Sequence, residues 1–322
     1  MKLVGIFKKM RFLCIEINSF LAISAILKII ALRFKIYQSI HSFNSIIMKS
    51  NLINWDKLFL ISGPCVIEEE SIMMKTAERL KKVAEKLGLP LIFKSSYQKD
   101  NRSSCDFYQG PGLHEGLKML EKIKKQFDVP VISDVHYPEQ VKAAAEVLDI
   151  IQIPAYLCMQ TTLVVEAAKT GKIVNLKHGQ FISPQNMSKP VGKVESCGNF
   201  DILLTERGYA FGYNDLVVDP RSFFDMGQLG YPVIFDITHS IRKYGIPSAD
   251  PAGGLRQYLP SLARAGVAAG VDGIFIEAHP NPPEALCDAA SQLHLDAVEE
   301  FLKPLIEIHQ IEKQNRKNGI IS

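Results

Sequence analysis

Two sets of side chains in this sequence could carry chemistry. Cys65, His239, Glu277 and Asp288 offer a thiolate, an imidazole and two carboxylates. That mixture of soft and hard donors suits Zn²⁺, Fe²⁺ or Mn²⁺ better than Mg²⁺ or Ca²⁺. Lys94, Lys99, Arg102, Lys177 and Arg207 form a cationic set suited to phosphate and carboxylate groups, because guanidinium forks bind planar anions through paired hydrogen bonds. The run Asn101-Arg102-Ser103-Ser104 adds neutral donors of the kind that cradle a phosphate. Taken singly, each residue has an ordinary alternative. A cysteine beside Pro64 packs in a core, a histidine after a strand is structural, and a loop charge is solvated or ion-paired. No short ligand spacing such as H-E-x-x-H joins the four donors.

Residues so far apart in sequence need a fold that gathers them. From Leu58 onward, short β-branched runs alternate with helix-patterned stretches. The runs are Phe59–Ser62, Leu91–Ser96, Val129–Val135, Ile150–Pro154, Ile173–Lys177, Ile202–Glu206, Pro232–Thr238 and Gly273–Ala278. Their near-continuous apolar character predicts parallel strands buried on both faces. Apolar residues at helical spacing predict helices over Ser71–Leu87, Leu113–Phe127, Pro138–Leu148, Thr162–Lys169, Arg256–Ala269 and Leu295–Ile311. Ser183–Gly198, with Pro184, Pro190 and Gly192, reads as loop with little helix. Strand–helix units in this number predict a single-domain α/β fold, the (β/α)₈ TIM barrel. A doubly wound open sheet is the second choice, and it lacks a G-x-G-x-x-G after the first strand. Barrel strands present their C-terminal ends to one mouth. There the strands end in Cys65, Lys94, Asp134 with His136, Lys177, Glu206-Arg207, Asp236 with His239, and Glu277 with His279. Ionisable groups at so many strand ends read as a site.

Composition narrows the partners. The chain has 322 residues, 47% of them hydrophobic and 22% charged, which excludes a disordered or low-complexity protein. The net charge of +3 is unevenly placed. Residues 1–47 hold Lys2, Lys8, Lys9, Arg11, Lys28, Arg33 and Lys35 against Glu16 alone, so the remainder is net acidic and offers no basic field for nucleic acid. Ile17–Leu27 is an uncharged run too short for a membrane span of about 20 residues. Basic residues return after it without a clear cleavage site, so translation from Met48 is preferred to a targeting segment. The expected organisation is an N-terminal extension over 1–47 and the barrel over 48–322. Cys14, Cys65, Cys105, Cys158, Cys197 and Cys287 contain no C-x-x-C pair, which points to free thiols in the cytoplasm.

Several strings then occur in order: Ser62-Gly63-Pro64-Cys65, Lys99-Asp100-Asn101-Arg102-Ser103-Ser104, Ile153-Pro154-Ala155-Tyr156-Leu157-Cys158, Asn175-Leu176-Lys177-His178-Gly179-Gln180-Phe181, Leu204-Thr205-Glu206-Arg207-Gly208, Phe211-Gly212-Tyr213, Phe235-Asp236-Ile237-Thr238-His239 and Ile276-Glu277-Ala278-His279-Pro280. Over about residues 58–305 the sequence resembles the 3-deoxy-D-manno-octulosonate 8-phosphate synthases. The resemblance implies a (β/α)₈ homotetramer that condenses phosphoenolpyruvate, arabinose 5-phosphate and water on the way to the sugar of lipopolysaccharide. Its partners would be phosphorylated small molecules, with no nucleic acid and no membrane partner. Members with cysteine after Gly-Pro need a divalent metal, so Cys65 places the chain in that group. Cys65, His239, Glu277 and Asp288 would be the ligands. Lys94, Lys99, Lys177, Gln180 and Arg207 would hold phosphoenolpyruvate. Asn101, Arg102 and Ser103 would hold the sugar phosphate, Asp134 would contact the sugar, and Pro154, Ala155 and His239 would complete the substrate set. Catalytic roles would fall to Lys99, Lys177, His239 and Cys65.

Three positions depart from that pattern. Met159 stands where an arginine usually reaches the sugar phosphate of a neighbouring subunit, Asp100 replaces a small residue, and His178 replaces a second lysine. A related synthase takes erythrose 4-phosphate and carries Pro-Arg-Thr where this chain has Asn101-Arg102-Ser103, which favours the eight-carbon product. A barrel that has lost activity and serves as a scaffold is the remaining alternative, and keeping all four donors argues against it.

Overall fold

The computed structural model describes Met48 and residues 50–212, 215–243, 245–247 and 250–317. The expectations for residues 1–47 lie outside the described residues. No helix among those described is long and apolar enough to cross a membrane.

Eight parallel strands close on themselves: β1 Phe59–Gly63, β2 Leu91–Lys94, β3 Val131–Asp134, β4 Ile150–Ile153, β5 Ile173–Lys177, β6 Ile202–Glu206, β7 Val233–Asp236 and β8 Gly273–His279. Each pairs with its neighbour in sequence, and β8 returns to β1 with Phe59 opposite Gly273 and Gly63 opposite Glu277. Helices α1 Glu70–Leu87, α2 Leu113–Phe127, α3 Pro138–Val147, α4 Thr161–Lys169, α5 Ser188–Glu195, α6 Arg221–Gly227, α7 Leu259–Ala268 and α8 Val298–Lys317 follow the strands in turn. The architecture is the expected TIM barrel.

The helices form as their patterning dictates. In α1 the buried Met73, Ala77, Leu80 and Ala84 recur at three- and four-residue steps, so one face meets the sheet. Gly88 ends it in the left-handed conformation (φ 67°), and its N–H closes onto Ala84 and Glu85. Ser183–Gly198 is a correction. Pro184–Met187 forms a 3₁₀ turn and Ser188–Glu195 a helix. Both prolines sit in a first turn, where the missing N–H has no intrahelical partner to lose. The expected seventh strand also stops sooner, because the Asp236 carboxylate accepts the His239 N–H at 3.0 Å and turns Ile237–Ser240 into one helical turn. Helix α6 and a short ninth strand, Leu293–His294 beside β8, had no clear sequence signal.

Alternation along the strands divides the barrel interior. Phe59, Ile61, Ile92, Ile132, Ile150, Ile173, Leu203, Ile234 and Phe275 pack as one buried cluster, with Leu52, Ile53 and Trp55 against it. The Trp55 ring meets Phe59 edge-on at 5.3 Å. This is the floor. Two residues further along the same strands come Lys94, Asp134, Gln152, Asn175, Thr205, Asp236 and Glu277, all buried. A period of two keeps them facing inward, so the polar layer lies directly above the floor, toward the strand ends.

Candidate active site at the barrel mouth

The four expected donors converge. One ligand atom from each of Cys65, His239, Glu277 and Asp288 lies within 4.8 Å of every other. Cys65 follows β1 by a tight approach: a Cβ on Gly63 would stand 2.1 Å from the Lys94 carbonyl oxygen. His239 Nε2 is 3.5 Å from Glu277 Oε1 and 3.4 Å from Asp288 Oδ2. Its Nδ1 lies 2.7 Å from Asp236 Oδ2. A carboxylate there orients the ring so that Nε2 faces the cluster, a frequent arrangement behind metal-bound histidines. Glu277 Oε2 is buried without a hydrogen-bond partner. A thiol, a ring nitrogen and two carboxylates around one point, one oxygen of them orphaned, fit a divalent cation.

The loop after β8 holds Asp288 in place. Asp288 adopts φ 49°, a left-handed conformation that aspartate tolerates better than most side chains. Arg242 Nη1 donates to its Oδ1 at 3.2 Å. Glu68 accepts the Leu286 N–H at 3.0 Å and lies 3.4 Å from His279 Nε2, and Gln292 donates to the Cys287 carbonyl at 2.7 Å. Burial alone would raise the Asp288 carboxyl, but the His239 hydrogen bond and the Arg242 charge carry it well below the ordinary carboxylate range. Glu277 is likewise lowered, because His239, Lys94 and Lys99 outweigh its burial.

The cations surround this cluster. Lys94 is buried, 3.2 Å from Glu277 Oε1 and bonded to the Cys65 carbonyl at 3.1 Å. Lys177 lies 2.6 Å from Asp236 Oδ2 and 4.5 Å from the centre of the Phe275 ring. Burial lowers the Lys177 ammonium against the pull of Asp236. Lys99 shows the reverse outcome: burial would lower it, yet Cys65, Asp134 and Glu277 together hold it well above the usual lysine value. Buried Arg207 Nη1 and buried Gln180 Oε1 have no hydrogen-bond partner. An unspent guanidinium nitrogen in a buried site is a ready anion receptor. Asp134, lowered below the ordinary range because Lys94 and Lys99 outweigh its burial, accepts from Ser96 at 2.9 Å and from Gln152. Gln152 in turn accepts from Asn175 at 2.9 Å, and Asn175 from Thr205 at 2.7 Å, completing a belt across β3 to β6.

Residues 50–314 match the family model described as the DAHP synthetase I family. The chain belongs to this family. It is 53% identical over 257 residues to a 2-dehydro-3-deoxyphosphooctonate aldolase of Geobacter sp. (strain M21), covering 80% of this chain and 94% of that protein. It is 54% identical over 248 residues to the protein of the same name from Trichlorobacter lovleyi, covering 77% and 91%.

For this member of the DAHP synthetase I family, the structure also sorts the remaining sequence candidates. Arg102 reaches inward, donating to Cys287 Sγ at 2.8 Å, whereas Asn101 and Ser103 stand exposed on the same loop, outside the buried cluster. Ala155 is buried and Pro154 half-buried in the turn after β4. Of the departures, Asp100 is exposed and accepts from Tyr137 Oη at 2.5 Å, which turns its charge to the rim. Met159 is exposed, and its carbonyl accepts from Lys193 at 2.8 Å. His178 is fully buried, 3.5 Å from Glu206 Oε2 and bonded to the Ile182 carbonyl at 2.9 Å. Gln152, Asn175, Thr205 and Arg242 were absent from the sequence-derived site, and Asp236 entered it as a strand-end acid without an assigned role. For Gln152, Asn175 and Thr205 the signal was available as the polar residue two steps beyond Ile150, Ile173 and Leu203.

Proposed function

We propose that this chain condenses phosphoenolpyruvate with D-arabinose 5-phosphate and water to give 3-deoxy-D-manno-octulosonate 8-phosphate and phosphate, a step toward the sugar of lipopolysaccharide. The observation that carries this reading is the buried four-donor cluster, together with a buried Arg207 whose Nη1 has no hydrogen-bond partner, in a chain 53% identical over 257 residues to an aldolase named for that eight-carbon product. Lys94, Lys99, Lys177, Gln180 and Arg207 would bind the phosphate and carboxylate of phosphoenolpyruvate and neutralise charge that would otherwise oppose a second phosphorylated substrate. Arg102, with Asn101 and Ser103 from the same loop, would take the sugar phosphate, and Asp134 the sugar hydroxyls. Carbon three of phosphoenolpyruvate then bonds to the sugar's aldehyde carbon, whose oxygen takes one proton of the water that adds at carbon two, and the C2–O bond breaks as phosphate leaves with the other proton.

Cys65, His239, Glu277 and Asp288 would hold a divalent cation, for which their mixed donors favour Zn²⁺, Fe²⁺ or Mn²⁺. When bound, such a cation supplies Lewis acidity to the sugar carbonyl or to water. Asp236 keeps the His239 ring oriented, and Lys177, in contact with the same carboxylate, keeps its ammonium at the mouth. A homotetramer is consistent with aromatic side chains left exposed, Phe211 at 79% and Phe224 at 61%. A cytoplasmic setting is consistent with the free thiols of Cys65, Cys105, Cys158, Cys197 and Cys287.

Phosphate release with arabinose 5-phosphate and with erythrose 4-phosphate, each with and without a chelator, tests the reading. Turnover is expected with the five-carbon sugar, abolished by chelation and restored by Mn²⁺ or Zn²⁺. Faster turnover with erythrose 4-phosphate would replace it with the seven-carbon synthase, and no release with either sugar would favour the scaffold.

A further inference from the structure

Lys177 and Arg207, which the proposed reaction uses, are each next in sequence to a buried side chain that it does not use. His178, one step beyond β5, extends the ladder by donating its N–H to the Thr205 carbonyl at 2.7 Å. Side chains alternate across a strand. With Lys177 and Thr205 turned into the barrel, His178 and Glu206 face the other side of its wall, both completely buried. The His178 ring is held on two sides. Its Nε2 lies 2.9 Å from the Ile182 carbonyl, which can only accept, so this nitrogen carries a proton. Its Nδ1 lies 3.5 Å from Glu206 Oε2, and the Tyr209 ring packs against it at 4.8 Å. Burial would raise the Glu206 carboxyl, but His178 and the Gly208 N–H outweigh it and hold it below its ordinary value. Glu206 Oε1 accepts the N–H groups of Arg207 at 2.9 Å and Gly208 at 2.6 Å, where the chain turns with Gly208 at φ 95°. The Ala210 N–H also donates to the Gln180 carbonyl at 3.0 Å. The turns after β5 and β6 are thereby joined by side chains as well as backbone.

We propose that His178 and Glu206 are positioning residues, a buried pair behind the barrel wall that fixes Arg207 relative to Lys177 and Gln180 and so sets the affinity for the phosphate and carboxylate of phosphoenolpyruvate. Neither touches the ligand. The pair acts through the Arg207 and Gly208 N–H groups on one side and the Ile182 carbonyl on the other, while Arg207 Nη1 and Gln180 Oε1 stay without hydrogen-bond partners at the mouth. A long guanidinium side chain gains most from such fixing, because freedom already surrendered on folding is not lost again on binding. Phosphoenolpyruvate as the ligand rests on the proposed reaction, whereas the link between the two turns stands on the geometry alone. The link also has a chemical signature. With its Nε2 proton directed at a carbonyl, the ring attracts a carboxylate only when Nδ1 is protonated too. An amide in the carboxylate's place would donate to a bare Nδ1 and keep its oxygen on the two N–H groups. Glu206→Gln therefore changes the charge and keeps the connection.

The test titrates the full chain with phosphoenolpyruvate in a calorimeter, which needs no turnover, and sets the result beside steady-state kinetics. Glu206→Asp keeps the charge but draws it back by one methylene, and His178→Asn is too short to reach both of its partners. Each should weaken phosphoenolpyruvate binding by about tenfold or more and raise its KM to match, with kcat at saturation held within about threefold. Glu206→Gln should bind within about threefold of the wild type. Hydrogen exchange of the wild-type chain needs no variant: the Arg207 and Gly208 amides should already be protected before ligand is added. Unchanged affinity in folded Glu206→Asp or His178→Asn would overturn the proposal. So would a loss in Glu206→Gln as large as in Glu206→Asp, or amides that exchange freely until ligand binds. A wild-type chain that binds phosphoenolpyruvate, with this pattern across its variants, yet releases no phosphate would strike the proposed reaction alone.

Discussion

The floor and the mouth of this barrel are built on the same strands, two residues apart, and obey opposite rules. At the floor, Ile92, Ile132, Ile150, Ile173, Leu203, Ile234 and Phe275 remove apolar surface from water, each contributing roughly 1.5–3 kcal/mol when fully buried. At the mouth, Lys94, Asp134, Lys177, Asp236 and Glu277 are as deeply buried but charged. Desolvating such groups costs several kcal/mol apiece before pairing offsets it. The floor therefore sustains a mouth that would not fold on its own account. What the mouth gains is a set of charges already stripped of water and fixed in direction, which is what a reaction between two anionic substrates requires.

The sharpest way to break the contrast is to remove a donor. His239→Ala should abolish measurable cation binding and lower phosphate release by about a thousandfold while leaving the thermal midpoint within a few degrees, as calorimetry and an assay of the same sample would check. A floor substitution should do the reverse: Ile234→Ala is expected to cost about 2–5 kcal/mol of stability in denaturant titration, with turnover per folded molecule unchanged. Asp236→Asn sharpens the comparison from within the mouth. It releases the His239 ring and should weaken cation affinity by about 10- to 100-fold, measured by competition with a chelating dye.

Acid should separate the regions more gently. Asp134 and Asp236 are both held below the ordinary carboxylate range, where nearby Lys94 and Lys99 or His239 and Lys177 outweigh burial. Below an unfolded aspartate pKa of about 3.9, the unfolded chain takes up protons that the native carboxylates still refuse. The stability they contribute is therefore full above that pH and lost as pH falls through the lowered native values. Asp134→Asn should flatten the fall between about pH 4 and 2, whereas Ile234→Ala should displace the whole curve without changing its shape. Unfolding followed by fluorescence across that range distinguishes the two.

Much of this was legible in the residues. The expected limits of β5, β6 and α2 coincide with those observed, because aliphatic runs and helical spacing act locally. The four donors were legible through strand ends and motif order, and the structure brings them within reach of one another. Less visible were Gln152, Asn175 and Thr205, whose polarity is hidden inside apolar runs until closure turns them to one interior. The helix at Ser188–Glu195 was obscured by prolines whose harm depends on which turn they occupy. The contact between Cys65 and Cys287 had no local signal, since it arises only when the first and last barrel strands pair.

That meeting is the β1–β8 seam, where Gly63 lies opposite Glu277. Cys65 emerges early in synthesis, whereas Glu277 and Asp288 are among the last barrel residues made. The seam thus acts as a completion check. A nascent chain or one truncated before β8 would carry the mouth's Lys94, Lys99 and Lys177 and yet lack two of the four donors, so cation occupancy would report a finished barrel and nothing less.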